Sequence, residues 1–340
     1  MAATPKEYSF PQKVWITTGI VALAVAVLWL LKATFSVLLL VLAGVLIAVF
    51  FKGLSGLIQQ KTNWKEGVCT TLSIVLALLV LVLLFWLMGA KIQAQAAQLS
   101  ETFPATIENA RNKLAELPLG QKIVERVYAL SAGERARSLL QTFFTSTFGL
   151  LGDVYIVLFL GIFLTVSPKL YKDGVVKLVP KRGRKEADEV MTKLGESLKK
   201  WLKGKLFTML IVFVLTAIGL AIIGVPLWLV LALLAGLLSF IPNFGPLIAL
   251  VVAALVGLLQ GTTTTLWIIG LYLLVQLLES NLITPVVQQK LISVPPGLLI
   301  TAQLLMTVLT GGWGLVLATP VLVIVLVLVQ ELYIKKQETS

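Results

Sequence analysis

Long apolar runs separated by short polar segments dominate the N-terminal part of the chain. Residues 14–31 and 33–51 are uncharged runs divided by Lys32 alone, and residues 67–90 form a third run. A helix of eighteen residues is about 27 Å long, close to the hydrocarbon thickness of a bilayer. The pattern predicts separate membrane-spanning helices within 14–90. Because Glu7 precedes the first run and no small-residue cleavage site follows it, we expect a retained helix rather than a cleaved signal.

Residues 91–147 break this pattern. Apolar side chains recur there at steps of three and four over 92–117, as on one face of an amphipathic helix. Pro118 and Gly120 then end the helix, and a shorter one is predicted from Ile123. The segment is therefore predicted to be a small helical insert outside the membrane. It must pack on its own helices, on the membrane surface or on another subunit.

Apolar runs return in the second half and are interrupted by proline and glycine. We predict a fourth span at 148–167, a basic amphipathic helix within 168–205, a C-terminal transmembrane core over 206–334 and a tail at 335–340. The runs of the core are 206–224, 226–241, 246–260, 262–279, 296–310 and 315–334. The expected fold class is all-α: a polytopic transmembrane helix bundle of about seven to eight spans, with a broken or re-entrant helix pair.

Composition narrows the possible chemistry. Apolar residues make up 58% of the chain and charged residues 13%. This composition is too apolar for a water-soluble protein with a single hydrophobic core. There is no histidine, which excludes Ser–His–Asp triads, zinc proteases of the HExxH type and histidine relays. Cys69 is the only cysteine, so no internal disulfide is possible, and no P-loop motif is present. We expect no enzyme activity, no cofactor and no metal site.

The net charge of +12 suggests an orientation rather than a nucleic-acid partner. Cytoplasmic loops collect Lys and Arg, and segment 168–205 alone has 12 of them against 5 Asp and Glu. With residues 1–13 and the C-terminus placed in the cytoplasm, 20 Lys and Arg lie inside and 8 outside, the insert included. This predicts a multi-pass protein of the cell inner membrane with both termini cytoplasmic.

The basic segment has two readings. The cluster Lys181–Lys185 is suited to anionic lipid, and Val190, Leu198 and Trp201 share one helical face with Leu194. Such a helix can lie on an anionic leaflet, or it can be an ordinary amphipathic helix that caps the bundle. Hydrophobic pattern and charge alone do not separate the two.

Acidic side chains inside apolar runs are the candidates for transport chemistry. Glu279 ends an uncharged stretch, and an ionisable group at membrane depth is by default a functional hypothesis. Tyr272, Gln276 and Glu279 fall on one helical face, where they can bind a polar solute or pass a proton; a structural network between helices is the alternative. Asp153 is a second candidate, and Glu331 is expected to pair with Lys335 one turn on.

A second candidate feature is a helix break. Pro242, Asn243, Gly245 and Pro246 interrupt two apolar runs that are each shorter than a full span. Irregular backbone at membrane depth is tolerated only inside protein or along a watery cavity, and such breaks often mark transporter binding sites. The alternative is a tight cytoplasmic turn between tilted helices.

These features occur in a specific order along the chain. The order is Trp201-Leu202-Lys203-Gly204-Lys205, Gly224-Val225-Pro226, Phe240 to Pro246, Tyr272, Gln276, Glu279, Pro285, Gly311-Gly312, Gly314 and Pro320. The ordered set resembles the autoinducer-2 exporter family of bacterial and archaeal membrane proteins, closely over 150–334 and loosely before it. Lys205 departs from the resemblance, since glutamine is common after this glycine in the family.

The resemblance implies a secondary transporter of the inner membrane with seven or eight spans that assembles as a homo-oligomer. It implies export of a small signalling molecule or exchange of Na+ or Li+ for protons. We therefore expect proton-coupled export of a small polar, autoinducer-2-like solute, with Glu279 as the titrating group and a Na+(Li+)/H+ antiporter as the alternative. A passive channel and a non-transporting oligomeric membrane scaffold are the alternatives of other classes.

Overall fold

The computed structural model describes residues 10–83, 86, 152–258, 260–285 and 295–338, and regular structure within these ranges is entirely helical. The predicted insert at 91–147 lies outside the described residues. The helices are α1 (Phe10–Thr62), α2 (Glu66–Leu83), α3 (Gly152–Val166), α4 (Pro168–Leu178), α5 (Arg184–Ile223), α6 (Trp228–Leu238), α7 (Phe244–Leu258), α8 (Thr262–Leu278), α9 (Pro296–Thr310), α10 (Gly312–Val329) and α11 (Lys335–Glu338).

Helix α1 corrects the prediction of two separate spans at 14–31 and 33–51. Both runs belong to one continuous helix, about 80 Å long, and Lys32 does not interrupt it. Lysine is a good helix former, and no proline or glycine accompanies Lys32 to turn the chain, so a single charge does not end the helix. The chain turns only after Thr62, where Asn63 adopts a left-handed conformation before α2.

The predicted fourth span and basic segment are divided differently in the structure. Helix α3 ends at Val166, and α4 leaves it at an angle of 91° because Pro168 starts a new helix. A short 3-10 turn, Lys181–Gly183, then leads into α5. Helix α5 runs without a break across the predicted boundary at residue 205, so the basic segment and the following span share one rigid rod.

The predicted helix break lies between α6 and α7. Helix α6 has 11 residues and is about 16 Å long, too short to cross a bilayer. Residues 239–243 form the turn, with Asn243 in the left-handed region. Gly245 is required there, because a Cβ atom at this position would collide with the backbone carbonyl of Leu238. We call this pair of helices the α6–α7 hairpin.

Five helical segments of the described chain are long and apolar enough to cross a membrane, or six if the bent pair α3–α4 forms one span. Two hydrophobic cores hold the bundle together. One joins α1, α3, α5, α9 and α10, and the other joins α5 with α6, α7 and α8. Helix α5 contributes to both cores and is therefore the central element. The helical structure and the five or six candidate spans confirm the predicted all-α polytopic fold class.

Candidate functional site

A buried ion pair joins α5 to the end of α8. Lys205 Nζ lies 3.9 Å from Glu279 Oε1, and the two side chains are only 11% and 9% exposed. The second oxygen, Glu279 Oε2, is buried and has no hydrogen-bond partner among the described residues. Within the apolar part of the bundle, this site therefore keeps an acceptor available for a proton or a solute.

The other two residues of the predicted polar face adjoin Glu279. Gln276 donates from Nε2 to Ser280 Oγ at 3.1 Å, while its Oε1 is buried and has no partner in the described chain. Tyr272 is buried, and its hydroxyl lies 3.5 Å from the backbone carbonyl of Leu231 on α6. The predicted polar face is therefore present. Tyr272 contacts α6 at one end of this face, and Glu279 contacts α5 at the other.

The backbone beneath this face widens at Glu279. Residues Glu279–Ile283 form a π-helical turn directly after α8, and Asn281 Nδ2 donates to the Leu277 carbonyl at 2.9 Å. Single π turns inside helices occur often at functional sites, because the extra residue per turn re-aims side chains. The predicted span 262–279 thus ends where its geometry becomes irregular.

Lys205 is the residue that sequence reasoning missed. It stands at the last position of a strongly basic segment, where a lysine is expected to reach the headgroup region. The available signal was its place next to the apolar run 206–224 and its departure from the family pattern. Pairing with Glu279 required knowledge of how α5 and α8 pack.

The α6–α7 hairpin is fastened by a residue of α9 that the sequence analysis did not single out. Gln303, which is fully buried, donates from Nε2 to the Pro242 carbonyl at 2.8 Å and accepts from Asn243 Nδ2 at 3.2 Å. The Pro242 carbonyl and the Asn243 amide nitrogen are therefore bonded to protein. Whether Pro242, Asn243, Gly245 and Pro246 also line a solute cavity stays a prediction.

The hairpin tip nevertheless lies close to the ion pair. Phe240 packs edge-on against Trp201, with ring centroids 5.7 Å apart. Trp201 precedes Lys205 by one helical turn on α5. A movement of the tip would therefore act on the helix that carries the lysine.

Asp153 lies in a different contact. Its Oδ2 accepts a hydrogen bond of 2.6 Å from Trp313 Nε1, which ties α3 to α10. The described contacts therefore do not bring it to Glu279. Glu331 pairs with Lys335 at 3.3 Å as expected, and also with Lys193 of α5 at 2.6 Å.

Burial sets the energetic character of the Lys205–Glu279 pair. Taking two charges out of water costs several kcal/mol each, and their attraction offsets this only when both are present and well placed. At 3.9 Å the contact is at the outer limit of an ion pair. Such a pair is sensitive to the protonation of either member.

No group of three or more Cys, Asp or Glu side chains in the described chain could hold a metal ion.

These features define a multi-pass helical membrane protein with a broken helix pair and a buried ion pair between two long helices. The chain belongs to the AI-2E transporter family, whose model matches residues 19–334. The family membership confirms the resemblance found in the sequence and supports a membrane transporter.

Curated relatives of the chain also carry names that refer to transport. YrrI of Bacillus subtilis (strain 168), provisionally named a transport protein, is 29% identical over 162 residues, which are 48% of this chain and 46% of YrrI. PerM of Escherichia coli (strain K12), provisionally named a permease, is 28% identical over 170 residues, 49% of this chain and 48% of PerM. MT0215 of Mycobacterium tuberculosis (strain CDC 1551 / Oshkosh), provisionally named a transport protein, is 28% identical over 307 residues, 90% of this chain and 74% of MT0215. The chain thus spans about half the length of YrrI and PerM.

Proposed function

We propose that the protein is a secondary transporter of the inner membrane that exports a small polar solute in exchange for protons. The observation that carries the proposal is the buried Glu279 carboxylate, paired with Lys205 on one oxygen and unpartnered within the described chain on the other. An acidic group at such a place is retained at a cost in stability, which favours a functional role. An autoinducer-2-like molecule is the proposed solute, on the strength of the family.

Proton coupling follows from how the pair responds to charge. Protonation of Glu279 removes its attraction for Lys205, and the ammonium must then find another partner or water. The contact between α5 and α8 therefore has two states, and a solute can bias one of them. Hydroxyl groups of the solute would donate to Glu279 Oε2 and Gln276 Oε1, two buried acceptors without a described partner.

Lys205 favours this mechanism over exchange of Na+ or Li+ for protons. A monovalent metal ion would bind beside the Glu279 carboxylate, and the Lys205 ammonium already holds a positive charge there. A second cation at that place would meet electrostatic repulsion inside a poorly solvated bundle. We therefore place the Na+(Li+)/H+ antiporter second. The protein is further proposed to work as a homo-oligomer with its C-terminus in the cytoplasm, whereas the prediction of a cytoplasmic N-terminus rested on two spans that α1 replaces with one helix.

The test uses the purified full chain in proteoliposomes that carry a pH gradient and an internal pH-sensitive dye. We expect autoinducer-2 addition to move protons in the wild type, and Na+ or Li+ addition to have no effect. Glu279→Gln should abolish the coupled proton movement. Glu331→Gln is the matched control, because that carboxylate also pairs with a lysine but lies at the end of the bundle.

Three further outcomes would overturn parts of the proposal. Proton movement on addition of Na+ or Li+ in the wild type would establish the antiporter instead. Solute flux that neither saturates nor moves protons would indicate a passive channel. Absence of all flux in folded, monodisperse preparations would favour the membrane scaffold.

A further inference from the structure

Helix α4 presents an apolar face to the outside of the molecule. All of its residues are described and none of them is buried. Leu170 and Leu178 are 69% and 85% exposed, and Tyr171 and Val175 are exposed beside them. At 100° per residue these four side chains occupy one continuous arc of the helix. An exposed apolar arc of this size indicates that another hydrophobic surface covers it.

The opposite side of α4 is fixed to the protein. Lys172 pairs with Asp188 of α5 at 2.8 Å and donates to Thr192 Oγ1 at 2.9 Å. Arg184 donates to the Val179 and Lys177 carbonyls, at 3.1 and 3.2 Å, which closes the C-terminal end of α4. The helix is therefore held in one orientation, with its apolar arc turned away from α5.

The direction of α4 places the axis of this helix along a membrane surface. Helix α3 is apolar, and α4 leaves it at 91°, so a spanning α3 puts α4 parallel to the bilayer plane. The helix and the turn after it carry a set of exposed cations. They are Lys169, Lys177, Lys181, Arg182 and Lys185, opposed on α4 by Asp173 alone.

The structure also decides between the two readings of the following helix. Val190, Leu198 and Trp201 are buried, and the last two belong to the core shared with α1 and α10. That face therefore packs on the bundle and does not lie on lipid. Within the basic segment, α4 is the helix with an exposed apolar face.

We propose that α4 and the Lys181–Gly183 turn form an interfacial anchor that binds the anionic leaflet of the membrane. Apolar side chains enter the boundary between headgroups and acyl chains, and the cations contact lipid phosphates. An anionic leaflet fits better than a second protein copy because the apolar arc is rimmed by positive charge, which like-charged copies would bring together. The proposal is independent of what the protein transports.

The test measures the depth of α4 in the reconstituted full chain. Spin labels are attached to single cysteines at Leu170, Val175 or Leu178, and at Asp173 on the polar side, in a Cys69→Ala background. Accessibility to oxygen and to a water-soluble nickel chelate is compared in phosphatidylcholine vesicles with and without phosphatidylglycerol. We expect the three apolar positions to be oxygen-accessible and chelate-protected with phosphatidylglycerol, and position 173 to be chelate-accessible.

Charge removal provides the second arm. The triple variant K181Q/R182Q/K185Q should reduce the ratio of inserted to free α4 with phosphatidylglycerol, by roughly fivefold for each charge removed. The control K199Q/K200Q removes two exposed lysines of α5 from the same basic segment and should leave the ratio unchanged. Equal chelate access at all four positions would overturn the proposal. Lipid-independent dipolar broadening between labels would also overturn it, since a second copy would then cover α4.

Discussion

At the scale of single residues, the Lys205–Glu279 pair is the feature with the clearest energetic signature. Replacing Lys205 or Glu279 alone by glutamine leaves the other charge buried without its counter-ion. We expect each single variant to lose about 3 kcal/mol of stability, the lower end of the range for buried pairs because the contact is long. Thermal unfolding of the purified protein in detergent would measure this.

The double variant K205Q/E279Q separates stability from function. It contains no buried charge at the site, so it should unfold close to the wild type and yet lack coupled proton movement. A double variant whose loss of stability equals the sum of the two single losses would show that the two charges do not interact. The single and double variants together form a cycle that isolates the pair.

Gln303 allows a second test at the same scale. Its replacement by leucine removes both hydrogen bonds between α9 and the hairpin tip, while the Pro242 carbonyl keeps the bond from the Phe244 amide and Asn243 is exposed. We expect a loss of about 1–2 kcal/mol, since one hydrogen bond contributes about 0.5–1.5 kcal/mol net. Gln330→Leu is the control, because Gln330 is exposed near the end of α10. Equal stability of the two variants would mean that Gln303 does not hold the hairpin tip.

At the scale of helices, backbone packing makes opposite predictions for two glycines. A Cβ atom at Gly245 would collide with the Leu238 carbonyl, so Gly245→Ala must open the α6–α7 hairpin. Gly270 of α8 has open space, and alanine there should stabilise the helix by about 0.5–1 kcal/mol. We expect Gly245→Ala to lower the unfolding temperature and Gly270→Ala to raise it. A tolerated Gly245→Ala would contradict the close approach at the hairpin.

Helices also show which parts of the fold were accessible to sequence reasoning. Apolar runs and proline positions located α6 to α10 within a few residues, because periodicity and helix breakers are local signals. The same signals failed at Lys32, where one charge suggested a loop inside a continuous helix. Tyr272, Gln276 and Glu279 were placed on one face by helical geometry alone. Lys205 and Gln303 were not found, since their partners lie far away in sequence and depend on packing between helices.

At the scale of the whole molecule, ion pairs define which helix ends lie together. Lys193 and Glu331 join the N-terminal half of α5 to the end of α10, and Lys336 pairs with Glu186 at 2.6 Å. Helix α8 runs antiparallel to α5, because Glu279 lies beside Lys205 while a Cβ on Gly219 would meet Leu271. The start of α8 is therefore at the end of the bundle opposite to α11.

This arrangement turns the predicted orientation into a labelling experiment. Single cysteines at Lys181, Gln337 and Thr263, all exposed, are placed in a Cys69→Ala background and treated in intact cells with a membrane-impermeant maleimide. Because positive charge collects on the cytoplasmic side, we expect Thr263→Cys to react at once, and Lys181→Cys and Gln337→Cys only after permeabilisation. Reversed reactivity would place the basic end outside. Reaction of all three from one side would show that α8 does not cross the bilayer, because its start would then lie on the same side as the basic end.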